Sequence, residues 1–131
     1  MKKLLVVTIV IALLTTLSVW AYGAHEEGYM GNPSIQYKLD NSIGADKNTA
    51  SASTWTFTPA SNVSVSAEFF WEDYENHVFG SFTMGNGNYG SISISPSSLA
   101  GTEKYYYQVT SYHIVNYNGG TYTQTLNTYV P

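Results

Sequence analysis

The sequence contains no cysteine and no arginine, and only 11% of its residues are charged. Without cysteine the chain forms no disulfide, so its stability has to come from buried apolar surface and backbone pairing. Without arginine and with only three lysines beyond residue 23, it lacks the clustered cationic side chains that bind nucleic-acid phosphates. We therefore expect no nucleic-acid partner, and 131 residues are enough for a single domain.

A long apolar run occurs only at the N-terminus. Two lysines precede the run over residues 4–19, and small residues follow at Ala21 and Gly23. This layout is that of a signal peptide, and cleavage after Ala21 or after Gly23 fits the small-residue rule. We predict that residues 1–23 form an apolar helix that is removed on export, so that the mature protein is secreted and meets the membrane only through this segment. The alternative is a retained anchor, since about 20 apolar residues span a bilayer.

Alternation of apolar and polar residues dominates the chain beyond residue 32 and is typical of half-buried strands. In "SIQYKLD" it places Ile35, Tyr37 and Leu39 on one face. In "STWTFTP" it predicts that Trp55 and Phe57 point inward. In "KYYYQVTSYHIV" it places Tyr106 and Tyr112 on the face opposite to Val109 and His113.

About seven such strands, separated by Gly, Pro, Asn and Asp, predict an all-β fold. We expect a single immunoglobulin-like or jelly-roll-type β-sandwich, preceded by the N-terminal helix. The predicted organisation is a signal peptide at 1–23, an extended segment at 24–40 and the sandwich domain at 41–131.

An acidic stretch, "FFWEDYENHVFG", interrupts two of the predicted strands. Glu72, Asp73 and Glu75 offer carboxylate oxygens of the kind that calcium accepts. The spacing lacks the glycine and the alternating Asp or Asn of a calcium loop, however, and charged residues are common at exposed hairpin tips. We therefore interpret the stretch as a solvated turn, with calcium binding by these three residues as the alternative.

Candidate catalytic groups are absent from the sequence pattern. Three acids within a few residues give no separation across a cleft, which glycoside hydrolysis requires. His25, His77 and His113 have no metal-ligand spacing, and no serine lies in a G-x-S-x-G motif. We expect a protein that is not an enzyme, with no cofactor and no metal site beyond the weak calcium candidate.

One covalent modification is predicted from a motif. "NVS" at Asn62 is an acceptor sequon for N-glycosylation, whereas "NPS" at Asn32 is ruled out by its proline.

Aromatic residues make up 15% of the chain, more than one sandwich interior holds. Exposed rings suggest a secreted carbohydrate-binding module in which Trp55, Tyr106 or Tyr112 stacks on a sugar. The alternative is that cross-strand pairs of tyrosines stiffen the sheets.

Assembly with other copies is the second explanation for such a surface. Alternating strands with open edges suit β-augmentation, in which an extended segment of one chain adds to the sheet of another. Residues 24–40 are the candidate donor, and Ile35, Tyr37 and Leu39 would fill the groove of the accepting copy.

The layout of signal peptide, extended N-terminal segment and cysteine-free β-sandwich resembles subunits of archaeal and bacterial extracellular fibres, including bundling pili and biofilm fibres. The segment from "SISISPSSLAG" to "NYNGGTYTQTL" is similar to immunoglobulin-like surface domains. The resemblance implies a homopolymer that assembles by donor-strand complementation. Archaeal type IV pilins, which keep an apolar N-terminal helix, are a second comparison, although no glycine or alanine follows Lys3 as their processing site requires. We therefore expect a non-enzymatic subunit of an extracellular filament, pilus or surface layer.

Overall fold

The computed structural model describes residues 22–58, 60–88 and 90–131, which form eight β-strands. The strands are β1 (Tyr22–Met30), β2 (Ile35–Ile43), β3 (Ala50–Thr56), β4 (Asn62–Asp73), β5 (Phe79–Asn88), β6 (Ile92–Ile94), β7 (Lys104–Tyr117) and β8 (Gly120–Tyr129). The predicted all-β class is confirmed. Within the described ranges there is no helix long and apolar enough to cross a membrane. The predicted helix over residues 1–23 lies outside these ranges except for its last two residues, which begin β1.

Two four-stranded antiparallel sheets contain all eight strands. The first sheet has the order β1-β2-β3-β6, and the second has the order β5-β4-β7-β8. The sheets pack face to face, with β1 opposite β8 and β6 opposite β5. The edges of the first sheet are therefore β1 and β6, and the edges of the second are β5 and β8.

The alternation in β2 predicts its buried face correctly. Ile35, Tyr37 and Leu39 all point into the core, and the residues between them are half-exposed. The same rule holds in β4, where Val63, Val65, Ala67 and Phe69 point inward. Both strands lie at the centre of their sheets, where one face meets the opposite sheet.

The predicted phase of β3 is wrong. Trp55 and Phe57 point outward, where their ring centroids lie 4.1 Å apart. The small residues of the strand face the core instead. Thr54 is fully buried because its hydroxyl bonds to His113 and to the Ser64 carbonyl. Hydrogen bonding to the opposite sheet thus decides the phase, and the larger rings remain outside.

A β-bulge reverses the expected orientation of Tyr106. The register between β4 and β7 shifts between Phe70 and Trp71, where Phe70 pairs with Gln108 and Trp71 with Tyr106. The extra residue on β7 changes which side chains face inward. Tyr106 is consequently only 1% exposed, and its hydroxyl donates to the Ser97 carbonyl at 2.9 Å.

The last hairpin forms as the sequence predicts. β7 and β8 are joined by Asn118 and Gly119, which have φ values of 48° and 77°. Two successive left-handed residues are what a type I′ turn requires, and Asn-Gly is the favoured pair for it.

Candidate functional site

The acidic stretch forms the turn between β4 and β5, as predicted. Asp73 Oδ1 accepts hydrogen bonds from the backbone N–H groups of Glu75 and Asn76, both at 3.0 Å. The bond from the Asn76 backbone, more than any other contact, lowers the pKa of Asp73. The carboxylate of Asp73 is thus engaged in closing its own turn.

Glu72 is also held by a neighbouring strand. The Tyr105 hydroxyl donates a hydrogen bond to Glu72, and this bond raises the pKa of Tyr105 to about 12. Within the described ranges, no group of three or more His, Asp or Glu side chains is arranged to hold a metal ion. Glu72 instead bonds to Tyr105 on β7, and Asp73 bonds to the backbone of its own turn.

The three histidines lie in three different parts of the fold. His25 is on β1, where its Nδ1 lies 2.5 Å from Asp40, and this contact raises the pKa of His25. His77 is in the β4–β5 turn with a φ of 51°. His113 is fully buried between the two sheets.

A chain of hydrogen bonds passes through His113 and joins the sheets. Ser111 Oγ lies 2.8 Å from His113 Nε2, and Thr54 Oγ1 lies 2.9 Å from His113 Nδ1. Beyond Ser111, Asn41 Nδ2 donates to Ser111 Oγ at 2.9 Å. Asn41 Oδ1 in turn accepts from the Thr128 hydroxyl. These short polar residues separate the two apolar clusters of the core.

The direction of these bonds assigns the protonation of His113. Thr54 donates its only hydroxyl hydrogen to the Ser64 carbonyl, so it accepts from Nδ1–H of His113. Ser111 accepts from Asn41 and donates to Nε2. Both ring nitrogens are satisfied when the ring is neutral, and burial lowers the pKa of His113 to about 4. His113 is thus a structural residue of the core.

Glu26 binds β1 to β8 across the gap between the sheets. Its carboxylate accepts hydrogen bonds from the Tyr122 hydroxyl, from Gln124 Nε2 at 2.6 Å and from the Tyr37 hydroxyl at 3.3 Å. The rings of Tyr37 and Tyr122 are stacked, with centroids 4.6 Å apart. The bond to Glu26 raises the pKa of Tyr122. Apolar alternation does not reveal this cluster, because Glu26 lies in a segment that lacks it.

The three rings considered for carbohydrate binding lie on different surfaces. Trp55 is on the outer face of the first sheet, with Lys38 Nζ 5.4 Å from its ring centroid. Tyr106 is buried in the core, so the expectation that it faces outward is corrected. Tyr112 is 45% exposed on the second sheet. The structure does not bring the three rings together.

The predicted glycosylation and donor residues have clear positions. Asn62 begins β4 and is half-buried on the outer side of that strand. Ile35, Tyr37 and Leu39 fill the core of their own protomer from β2, which pairs with β1 on one side and β3 on the other. Residues 24–40 thus supply most of the first two strands of this sheet.

The edges of the first sheet carry features that block further pairing. β1 contains His25, Glu26 and Glu27, and β6 is only three residues long. Charged residues and short strands at edges are known ways in which proteins avoid pairing with other chains.

The edges of the second sheet lack these features. β5 reads "FGSFTMGNGN" and β8 reads "GTYTQTLNTY", so both have ten residues without a charge or a proline. Among the strands that the structure describes, each pairs on one side only, β5 with β4 and β8 with β7. Each also exposes an aromatic ring, Phe79 at 61% and Tyr129 at 60%. These two edges are the candidate functional site.

A shallow apolar groove lies beside the β5 edge. Because β6 is short, it covers little of the inner face of β5. Phe82 and Met84 therefore border a groove with Pro96, Leu99 and Tyr106.

Comparison of the chain with protein-family models, with curated proteins and with solved structures gives no match.

Proposed function

We propose that this protein is a secreted, non-enzymatic subunit of an extracellular filament, pilus or surface layer, and that copies of it assemble by β-strand addition. The observation that carries this proposal is the pair of unprotected edges, β5 and β8, at opposite sides of one sheet. A row of unpaired N–H and C=O groups along an edge is a template for a further strand.

The surface of the protein favours contact between copies. The strands that form the edges carry mainly Ser, Thr, Asn, Gly and Tyr, which pack without like-charge repulsion. Beyond residue 23 the chain carries three lysines and nine carboxylates, a net charge of −6, but none of these charges lies on β5 or β8. Two protomers can therefore approach edge to edge at ordinary ionic strength.

Addition at an existing edge requires less rearrangement than exchange of residues 24–40. Leu39 is fully buried, and β2 pairs on both sides within its own sheet. Donation of this segment to a neighbour would first remove a central strand from the protomer, as in domain swapping. Pairing between β5 and β8 leaves each protomer intact.

The titratable residues support a structural role. The carboxylates of Glu26, Glu72 and Asp73 accept hydrogen bonds that hold strands and turns together. His113 is neutral, buried and bonded at both nitrogens. Groups committed in this way stabilise the fold, which is the property that a filament subunit needs.

The finer fold class is part of the same proposal. An immunoglobulin-like or jelly-roll sandwich is supported by the order β5-β4-β7-β8, in which the chain crosses to the other sheet for β6 and returns to place β7 beside β4. Such crossing connections are typical of Greek-key sandwiches.

Electron microscopy and analytical ultracentrifugation of the secreted protein over a range of concentrations test the proposal. We expect elongated polymers whose mass increases with concentration. A protein that stays monomeric at every concentration and is retained on polysaccharide would instead support the carbohydrate-binding alternative.

A further inference from the structure

The two unprotected edges of the second sheet lie at matching heights. Across the sheet, Tyr129 is opposite Gln108, Gln108 is opposite Phe70, and Phe70 is opposite Ser81. At the other end, Tyr122 and Asn88 are connected in the same way through Val115 and Val63. The segments Ser81–Asn88 and Tyr122–Tyr129 therefore span the same eight levels of the sheet.

The free hydrogen-bonding groups of the two edges are also in phase. At both edges an even-numbered residue bonds toward the neighbouring inner strand. Val130 N donates to the Tyr107 carbonyl, and the Val78 carbonyl accepts from Asp73 N. Backbone groups alternate in direction along an antiparallel strand. Because neither ladder contains a shift, the odd-numbered residues of both β5 and β8 direct their N–H and C=O groups to the open edge.

The strand directions allow the sheet to continue from one copy to the next. All neighbours in this sheet are antiparallel and there are four strands, so β5 and β8 run in opposite directions. A second copy placed beside the first, and turned about the direction of growth by the twist that accumulates over four strands, brings its β5 antiparallel to β8. No shift along the strands is needed.

From these three observations we propose that β8 of one copy pairs with β5 of the next, so that the second sheet runs continuously through a head-to-tail polymer. This inference rests on the proposed function and names the surfaces that join. The paired levels are Tyr129 with Ser81, Asn127 with Thr83, Thr125 with Gly85 and Thr123 with Gly87. Each pair exchanges two backbone hydrogen bonds, giving eight in all.

The side chains fit this register. On the outer face, Thr123 and Thr125 oppose glycines, which leave room for the branched threonine side chains. On the inner face, Leu126 comes opposite Met84 and Thr128 comes opposite Phe82. The groove beside β5 is therefore extended by inward-facing residues of the neighbour. Because Gly87 N already bonds to Asn86 Oδ1, that side chain must release it when the strands pair.

Such a contact is open-ended. It joins two different surfaces of the same chain, so a polymer of any length keeps a free β8 at one end and a free β5 at the other. The first sheet does not continue, because β1 is charged and β6 is short. The polymer grows by about 19 Å per copy, the width of four strands.

Proline substitutions at the open edges test the assignment. Thr125→Pro on β8 and Thr83→Pro on β5 each remove one outward N–H without breaking a bond inside the protomer. Thr125→Ala and Thr83→Ala are the matched controls, since they keep the N–H. Sedimentation should show loss of polymer for each proline variant, while both alanine variants polymerise like the wild type.

Mixing the two proline variants tests the pairing of unlike edges. Each variant keeps the edge that the other has lost, so an equimolar mixture should form a dimer and nothing larger. Circular dichroism verifies that each variant is folded. If a variant is unfolded, Thr123→Pro or Ser81→Pro replaces it on the same edge.

The remaining outcomes separate the inference from the proposed function. If the wild type polymerises and either folded proline variant does so equally well, the pairing of β5 with β8 is wrong and the filament function stands. Loss of polymer in the β5 variant alone would show that β5 pairs with a surface other than β8 and would also overturn the pairing. A wild-type protein that never polymerises overturns both.

Discussion

Acidification should destabilise the protein through His113. The ring is neutral in the folded state, and burial lowers its pKa from 6.5 to about 4. The charges of Asp40 and Glu26 raise this pKa, but by less than burial lowers it. Protonation of Nε2 would turn this nitrogen into a donor, so the Ser111 hydroxyl hydrogen would lose its acceptor.

The sign and size of the effect follow from the two pKa values. Between pH 6.5 and pH 4 the unfolded chain binds a proton that the folded chain does not bind. The contribution of His113 is therefore fully present above pH 6.5 and is lost as the pH falls toward 4. A shift of this size corresponds to about 3 kcal/mol in the free energy of unfolding.

Urea unfolding of the wild type and of His113→Gln at several pH values measures this contribution. His25 acts in the opposite direction, because Asp40 raises its pKa and its contribution is present at low pH and lost as the pH rises. His25 is the same in both proteins, so the difference between the two curves isolates His113. We expect this difference to shrink by about 3 kcal/mol between pH 7 and pH 4.

A nuclear magnetic resonance titration of the wild type is an independent check, which holds even if the glutamine variant unfolds. The imidazole signals of His113 should not titrate near pH 6.5. A His113 pKa close to 6.5, or parallel stability curves for the two proteins, would refute the assignment of a neutral, buried ring.

Two further predictions concern stability and can be checked by urea unfolding. Glu26→Ala leaves three hydrogen-bond donors without their acceptor and should cost about 1–3 kcal/mol, whereas Glu27→Ala on the exposed side of the same strand should change stability by less than about 0.5 kcal/mol. Equal effects would show that the Glu26 cluster is not what holds β1 to β8. Gly80→Ala places a Cβ 2.2 Å from the Trp71 ring and should cost about 1–3 kcal/mol. Gly85→Ala, whose nearest contact is at 3.6 Å, should cost nothing, and a similar loss in both variants would contradict the crowding at Trp71.

The sequence predicted the elements of the fold better than their details. Strong alternation identified β2 and β4 with their buried faces, and Asn118-Gly119 identified the last turn. β1 was not recognised as a strand, because "YGAHEEGYM" has no apolar alternation. Its inner face is held by the polar contacts of Glu26, which a search for apolar periodicity does not detect.

The phase errors have physical causes that are visible only in three dimensions. Trp55 was expected inside because it is large and apolar, but Thr54 takes the inward position to bond with His113. Strict alternation places the Tyr106 ring outside, but the bulge shifts the register of β7 and turns this ring into the core. Asn41 and Ser111 occupy positions where the alternation of their strands predicts a buried residue. Polar residues at such positions indicate hydrogen bonding inside the core.

The candidate site depends on strand order, which the sequence does not determine. The segments "FGSFTMGNGN" and "GTYTQTLNTY" can be recognised as uncharged from the sequence, but only the strand order β5-β4-β7-β8 shows that both are edges. The two edges lie at the same height because of the registers of three strand pairs, β5–β4, β4–β7 and β7–β8. The β4–β7 pair contains a bulge.

The central claim is that copies of this protein join through the edges of one sheet. Helical reconstruction of the wild-type polymer by electron cryomicroscopy measures this most directly. We expect an axial rise of about 19 Å per protomer, with the strands of a continuous sheet perpendicular to the filament axis. Protomers joined by two-fold contacts, or by a β2 strand inserted into a neighbour, would contradict it.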